Sequence, residues 1–134
     1  MAGAGTSGPY GATILEHFRR PRNQGRLPNA DASAEGANPL CGDRVRIELR
    51  LATDSDSIAD AKFSANACAI CVAAASLLTD RLRGLRISEA VRLTEPDVLA
   101  ALDAEIGAGR RRCATLPLEA AHRALAPFGG ARQR

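Results

Sequence analysis

The spacing of hydrophobic residues changes period along this chain, and each change marks an element. From Tyr10, Ile14, Leu15 and Phe18 recur at helical spacing, with Glu16, His17 and Arg19 outward, until Pro21 stops the helix. Residues 21–25 (Pro-Arg-Asn-Gln-Gly) are turn chemistry. Ala30 to Gly36 is small and polar, and the pattern fits either a loop or a short strand. Arg44 to Leu51 alternates strictly, with Val45, Ile47, Leu49 and Leu51 on one side and Arg44, Arg46, Glu48 and Arg50 on the other. That is a half-buried strand with one solvated face. After a polar turn at Thr53 to Ser57, Ile58 to Ala65 predicts a second strand with Ala59, Ala61 and Phe63 on one face, paired with the first as an antiparallel hairpin.

Helical spacing then returns. Ile70, Ala73, Ala74, Leu77, Leu78 and Leu82 form a broad apolar stripe that Gly84 ends. Ser88 is read as the N-cap of a short segment through Leu93. Thr94 caps a further helix, with Pro96 and Asp97 in its first turn and Leu99, Leu102 and Ile106 inward. Gly107-Ala108-Gly109 breaks the chain before a last helix that runs to about Ala126. Because proline is tolerated only in a first turn, Pro117 places Cys113 at that helix's N-terminus. The pattern predicts strands and helices in one domain between a disordered lead at 1–9 and a loose tail at 127–134. No internal repeat is visible.

Composition narrows the function. The 134 residues fit one domain, and aromatics make up only 3%, so the core is aliphatic. Few aromatics and a net charge of +3 argue against nucleic acid as a partner. No stretch approaches the ~20 apolar residues of a membrane helix, and Met1 to Pro9 lacks the charged and apolar runs of a secretory signal. A cytoplasmic setting is therefore expected, in which thiols stay reduced. The four cysteines then favour metal or redox chemistry over two disulfides.

Cys41 leads into the first strand of the hairpin and Cys68 leaves the second, so those two are neighbours. Cys68 and Cys113 each stand where a helix begins, and there the helix dipole favours thiolate. Asp43, two residues past Cys41, is an oxygen donor. Three thiolates and one carboxylate suit Zn²⁺ or an iron–sulfur cluster with one weaker ligand.

Asn38-Pro39-Leu40-Cys41-Gly42-Asp43, Cys68-Ala69-Ile70 before a helix reaching Ser76, and Arg112-Cys113-Ala114-Thr115-Leu116 resemble three motifs of one family. Tyr10, Ile14 to Phe18, Pro21-Arg22-Asn23 and Gly25 are similar to its opening helix and turn. The family is that of the IscU/SufU/NifU-type iron–sulfur cluster assembly scaffolds. The resemblance spans residues 10–126 and implies an α+β domain there, a small antiparallel sheet of about three strands packed by helices. It implies Cys41, Asp43, Cys68 and Cys113 as ligands of a transient [2Fe–2S] cluster or of Zn²⁺, with Cys41 and Cys113 as candidate persulfide acceptors. A cysteine desulfurase would deliver the sulfur, and apo-proteins would receive the cluster. Such a protein is a non-enzymatic scaffold, or sulfur-transferase-like if it follows the SufU branch.

The chain departs from the family in three places. Arg112 stands where the IscU branch has His, as in SufU, and it is a candidate to tune the Cys113 thiolate. Only 44 residues separate Cys68 from Cys113, which is IscU-like spacing without the SufU insertion. Residues 106–110 (Ile-Gly-Ala-Gly-Arg) replace the segment that docks an Hsp70-type chaperone, which speaks against that partner. Cys71 is extra: a fourth thiolate ligand, a relay thiol or a buried small side chain. His17 and His122 are read as helix-surface residues. A transient scaffold, a zinc-bound sulfur acceptor and a module held together by zinc remain three alternatives.

Overall fold

The computed structural model describes residues 11–54 and 56–130; the lead expected at 1–9 lies outside them. Helix α1 (Gly11–Arg19) precedes strands β1 (Ala32–Asn38), β2 (Asp43–Leu51) and β3 (Ile58–Asn66). Helices α2 (Ala69–Leu82), α3 (Ile87–Ala90), α4 (Glu95–Leu102) and α5 (Arg111–Leu125) follow. The strands form one antiparallel sheet in the order β1-β2-β3, so the fold is α+β as expected. α5 lies on β1 and β2, and α2 sits between α1, α5 and β3.

β2 behaves as its alternation predicts on the inner face, where Val45, Ile47 and Leu49 are buried. Two details differ. A bulge shifts the register between Arg50 and Leu51, so Leu51 pairs with Ile58 and Ala59 is passed over. Ile58, not Ala59, therefore joins Ala61 and Phe63 inside, and Ala59 is exposed. On the outer face Glu48 is buried, because its Oε1 accepts from Arg26 Nε at 3.0 Å and from the Leu27 amide at 3.1 Å. The 26–27 segment covers that spot.

The undecided stretch is β1. Its inward residues are small because α5 presses on it: a Cβ at Gly36 would lie 3.2 Å from Leu116 Cδ1 and 3.3 Å from the Leu116 carbonyl oxygen. α5 also covers the open edge of β1. Arg123 Nη1 donates to the Glu35 carbonyl at 2.6 Å and Arg112 Nη2 to the Ala37 carbonyl at 3.4 Å.

α2 is buried on most of its circumference, from Ile70 through Ser76 and again at Leu78 and Thr79. Its two buried hydroxyls are both used. Ser76 Oγ accepts from the Arg22 amide at 2.8 Å and lies 2.7 Å from His17 Nδ1. Thr79 Oγ1 donates to the Ala75 carbonyl and accepts from Asn23 Nδ2 at 3.2 Å. α1 is therefore rotated from the expected phase: His17 points inward and Phe18 is 45% exposed. A polar contact with Ser76 outweighs an apolar one there, which periodicity cannot register.

Three boundary expectations are also revised. Arg86, not Ser88, caps α3, with the Glu89 carboxylate accepting from the Arg86 amide. Thr94 caps α4 with Asp97 as expected, while Leu99 and Ile106 are only half-buried. Pro117 lies inside α5, in its second turn; the missing amide leaves no i→i−4 bond to the Cys113 carbonyl. Past α5, residues 126–130 make one turn of π-helix with Phe128 packed against the core, and residues 131–134 of the expected tail lie outside the described residues.

Candidate metal centre

Four segments meet at one end of the sheet, and each is positioned by local chemistry. Asn38 ends β1, and its carbonyl accepts from the amides of Cys41 at 3.2 Å and Gly42 at 2.8 Å. Its Oδ1 also accepts from the Leu40 amide at 3.2 Å. Gly42 closes this tight loop at φ +78, a conformation that L side chains rarely adopt. Cys41 is thereby held at the surface, and Asp43, the first residue of β2, is buried.

Cys68 ends the run from β3 as the N-cap of α2, in extended conformation. Its amide donates to Asp43 Oδ1 at 3.1 Å. Cys113 is the third residue of α5 and is buried.

All four cysteines are free thiols. Cys41 Sγ and Cys113 Sγ lie 3.9 Å apart. One donor atom from each of Cys41, Asp43 and Cys113 falls within 4.8 Å of the others. Cys68 lines the same open pocket of ≈ 460 Å³, together with Leu40, Gly109, Arg110 and Arg112. Asp43 Oδ2 is buried and, among the described residues, has no hydrogen-bond partner. A buried carboxylate oxygen without a hydrogen-bond partner is costly unless something takes it. A thiophilic cation suits this donor set, with the Asp43 carboxylate as the hard ligand in a soft group.

The electrostatics run against the expected free thiolate at Cys113. Burial first, then the adjacent Asp43 carboxylate and the Cys68 and Cys41 thiols, push its pKa up. The helix start does not overcome these; a bound cation would reverse the balance. Arg112 lines the pocket, and its Nη2 lies 3.4 Å from Glu119 Oε1.

Cys71 is fully buried in the first turn of α2, behind the pocket. Burial, then Asp43, Cys68, Cys113 and Cys41, push its thiol up as well. His17 belongs to the α1–α2 contact, and His122 Nε2 lies 3.3 Å from the Ala90 carbonyl; neither lines this pocket. Sequence reasoning placed Asn38 at the head of the cysteine motif but missed that it closes the Cys41 loop. The available signal was an Asn three residues ahead of Cys-Gly, the usual chemistry of a side-chain-closed turn.

The family model described as NifU-like N terminal domain matches residues 9–134. The chain belongs to this family. It is 31% identical over 119 residues to the iron–sulfur cluster assembly scaffold protein IscU of Aquifex aeolicus, covering 89% of this chain and 75% of that protein. It is 37% identical over 86 residues to the zinc-dependent sulfurtransferase SufU of Bacillus subtilis, covering 64% of this chain and 56% of that one. Against the bifunctional protein NifU/MnmA of Rubrobacter xylanophilus, 34% identical over 119 residues and 89% of this chain, it spans only 24% of the longer protein. The fold matches the crystal structure of a nitrogen-fixing NifU-like protein (N-terminal) from Brucella abortus. The TM-score is 0.74 at 20% identity, over 91% of this chain and 95% of that one. No helix among the described residues is long and apolar enough to cross a membrane.

Proposed function

We propose that this NifU-like domain is an iron–sulfur cluster assembly scaffold in a bacterial-type cytoplasm. It accepts persulfide sulfur from a cysteine desulfurase, binds iron, holds a transient [2Fe–2S] cluster and passes it to apo-proteins. The observation that carries this reading is the convergence of Cys41, Cys113 and the unpartnered Asp43 Oδ2, with Cys68 on the same pocket. Cys41, Asp43, Cys68 and Cys113 are the ligand set.

The roles follow from burial. Exposed Cys41 is the thiol an incoming persulfide meets first, and Cys113, 3.9 Å away, is a thiol to which sulfur can pass. Asp43 holds the Cys68 amide with one oxygen and offers the other to the cargo. Three thiolates bind iron firmly, and the single carboxylate is the weak ligand through which a cluster leaves. Arg110 and Arg112 on the pocket rim favour an acidic surface on the partner.

Arg112 and the 37% identity to a zinc-dependent sulfurtransferase favour a second reading, a zinc-bound sulfur acceptor that speeds a desulfurase. Anaerobic incubation with iron, cysteine and a desulfurase separates the two. A scaffold develops a [2Fe–2S] spectrum that decays as an apo-ferredoxin gains its own. Retained zinc, no cluster and faster desulfurase turnover would replace the scaffold with the acceptor.

A further inference from the structure

Sulfur that arrives as persulfide is too oxidised to be cluster sulfide, and two electrons must reach each atom of it. The ligand set above uses three thiols and leaves one over. Cys71 is that thiol, fully buried and one helical turn from Cys68.

We propose that Cys68 and Cys71 form a dithiol that converts a persulfide on Cys68 to sulfide, with Cys71 as the resolving thiol. The inference rests on the persulfide-accepting function proposed above. Its geometry is that of two cysteines three apart at a helix start, the second inside the helix and the first outside it. Cys68 is the N-cap, with φ −70 and ψ 169, while Cys71 sits in the first turn. Residues at this spacing within a helix have Cβ atoms roughly 5–6 Å apart, and a disulfide needs about 3.5–4.5 Å. The difference is small, and the non-helical ψ at Cys68 is where a hinge can absorb it. Cys68 opens on the pocket and can receive sulfur from Cys41 or Cys113 by exchange. Cys71 is closed to solvent, and Cys68 is its neighbour three residues back in the chain.

The step balances. The Cys71 sulfur attacks the inner sulfur of Cys68–S–SH, the persulfide S–S bond breaks, and the Cys68–Cys71 bond forms. The electron pair of the broken bond leaves on the outer sulfur, which takes the Cys71 proton and departs as H₂S. Relative to the starting dithiol and a sulfur atom, two thiols have been oxidised to a disulfide and the sulfur reduced to sulfide. A dithiol reductant of the thioredoxin class resets the pair. Because the disulfide removes Cys68 from the ligand set, sulfide release precedes cluster closure and the two alternate.

The test uses the full chain under anaerobic, thiol-free conditions. One sample is loaded by a desulfurase with cysteine and a second by inorganic polysulfide; sulfide release, intact mass and disulfide position are followed. Wild type is expected to release sulfide in one turnover and to end two hydrogens lighter, with a Cys68–Cys71 bridge. Cys71→Ala, which keeps an apolar core side chain, should stay one sulfur heavier and release sulfide roughly tenfold more slowly. Cys71→Ser serves as a second variant, and the circular dichroism of both checks that the fold is intact. Wild-type release rates in both variants, or a bridge mapped to Cys41–Cys113, overturn the proposal. If sulfur enters from polysulfide but not from the desulfurase, the acceptor function fails while the dithiol step is still decided by the polysulfide sample.

Discussion

At the scale of single residues, the informative ones are polar groups in unexpected places. Asp43 gives one oxygen to the Cys68 amide and keeps the other buried with no hydrogen-bond partner among the described residues, a cost that a bound cation would offset. His17 was expected on the surface and is instead wedged against Ser76. Burial, followed by the nearby Arg22 charge, lowers its pKa below 6.5, so the fold favours the neutral ring. Its stabilisation is complete above the unfolded value and is lost as pH falls through the folded one. The urea midpoint of wild type should fall as pH drops below about 6.5, and His17→Gln should flatten that slope; equal slopes would remove His17 from the acid response. Glu48 adds a second limb at lower pH. Burial alone would raise its pKa, but the Arg26 and Leu27 hydrogen bonds and the arginine charges outweigh it, and the net shift is downward. Its stabilisation is therefore held above about 4.5 and lost below.

At the scale of elements, α5 links the core to the metal centre. It packs on β1 through Leu116 and carries Cys113 one turn earlier. Gly36 is what lets it approach. Gly36→Ala would set a methyl 3.2–3.3 Å from a Leu116 that is itself fully buried. The expected cost is about 1–3 kcal/mol, with α5 pushed outward and the Cys41–Cys113 separation widened. Calorimetry and zinc titration should show lower stability and weaker zinc binding together. A purely thermal effect would mean that α5 tilts without moving Cys113. Thr94→Ala is the contrast: loss of the α4 cap should cost about 1 kcal/mol and leave zinc affinity unchanged, because the cap does not touch the centre.

At the scale of the whole molecule, the candidate centre gathers a β1–β2 loop, the head of β2, the start of α2 and the start of α5, so a cation bound by all four would cross-link the fold. Zinc at a hundredfold excess over its dissociation constant should raise unfolding free energy by about 2.7 kcal/mol, measurable as a shift in Tm that a chelator reverses. No shift would mean that the four segments do not share an ion. The order of the elements, the alternation of β2, the Thr94 cap and the cysteine motifs were legible in the chain because each is a local pattern of period, capping chemistry or fixed spacing. The inward turn of His17, the burial of Glu48, the skipped Ala59 and the strand at Ala32–Asn38 were not. Each depends on a partner distant in sequence: Ser76 for His17, the Arg26–Leu27 segment for Glu48, the β2 register for Ala59, and α5 lying across β1. The sequence by itself determined the fold class and which thiols and carboxylate were available. Only the tertiary structure decided that Cys41, Asp43 and Cys113 come within bonding reach of one ion, that Cys68 opens on their pocket, and that Cys71 lies behind it. Convergence of residues up to 72 apart is a property of packing, and no local pattern encodes it.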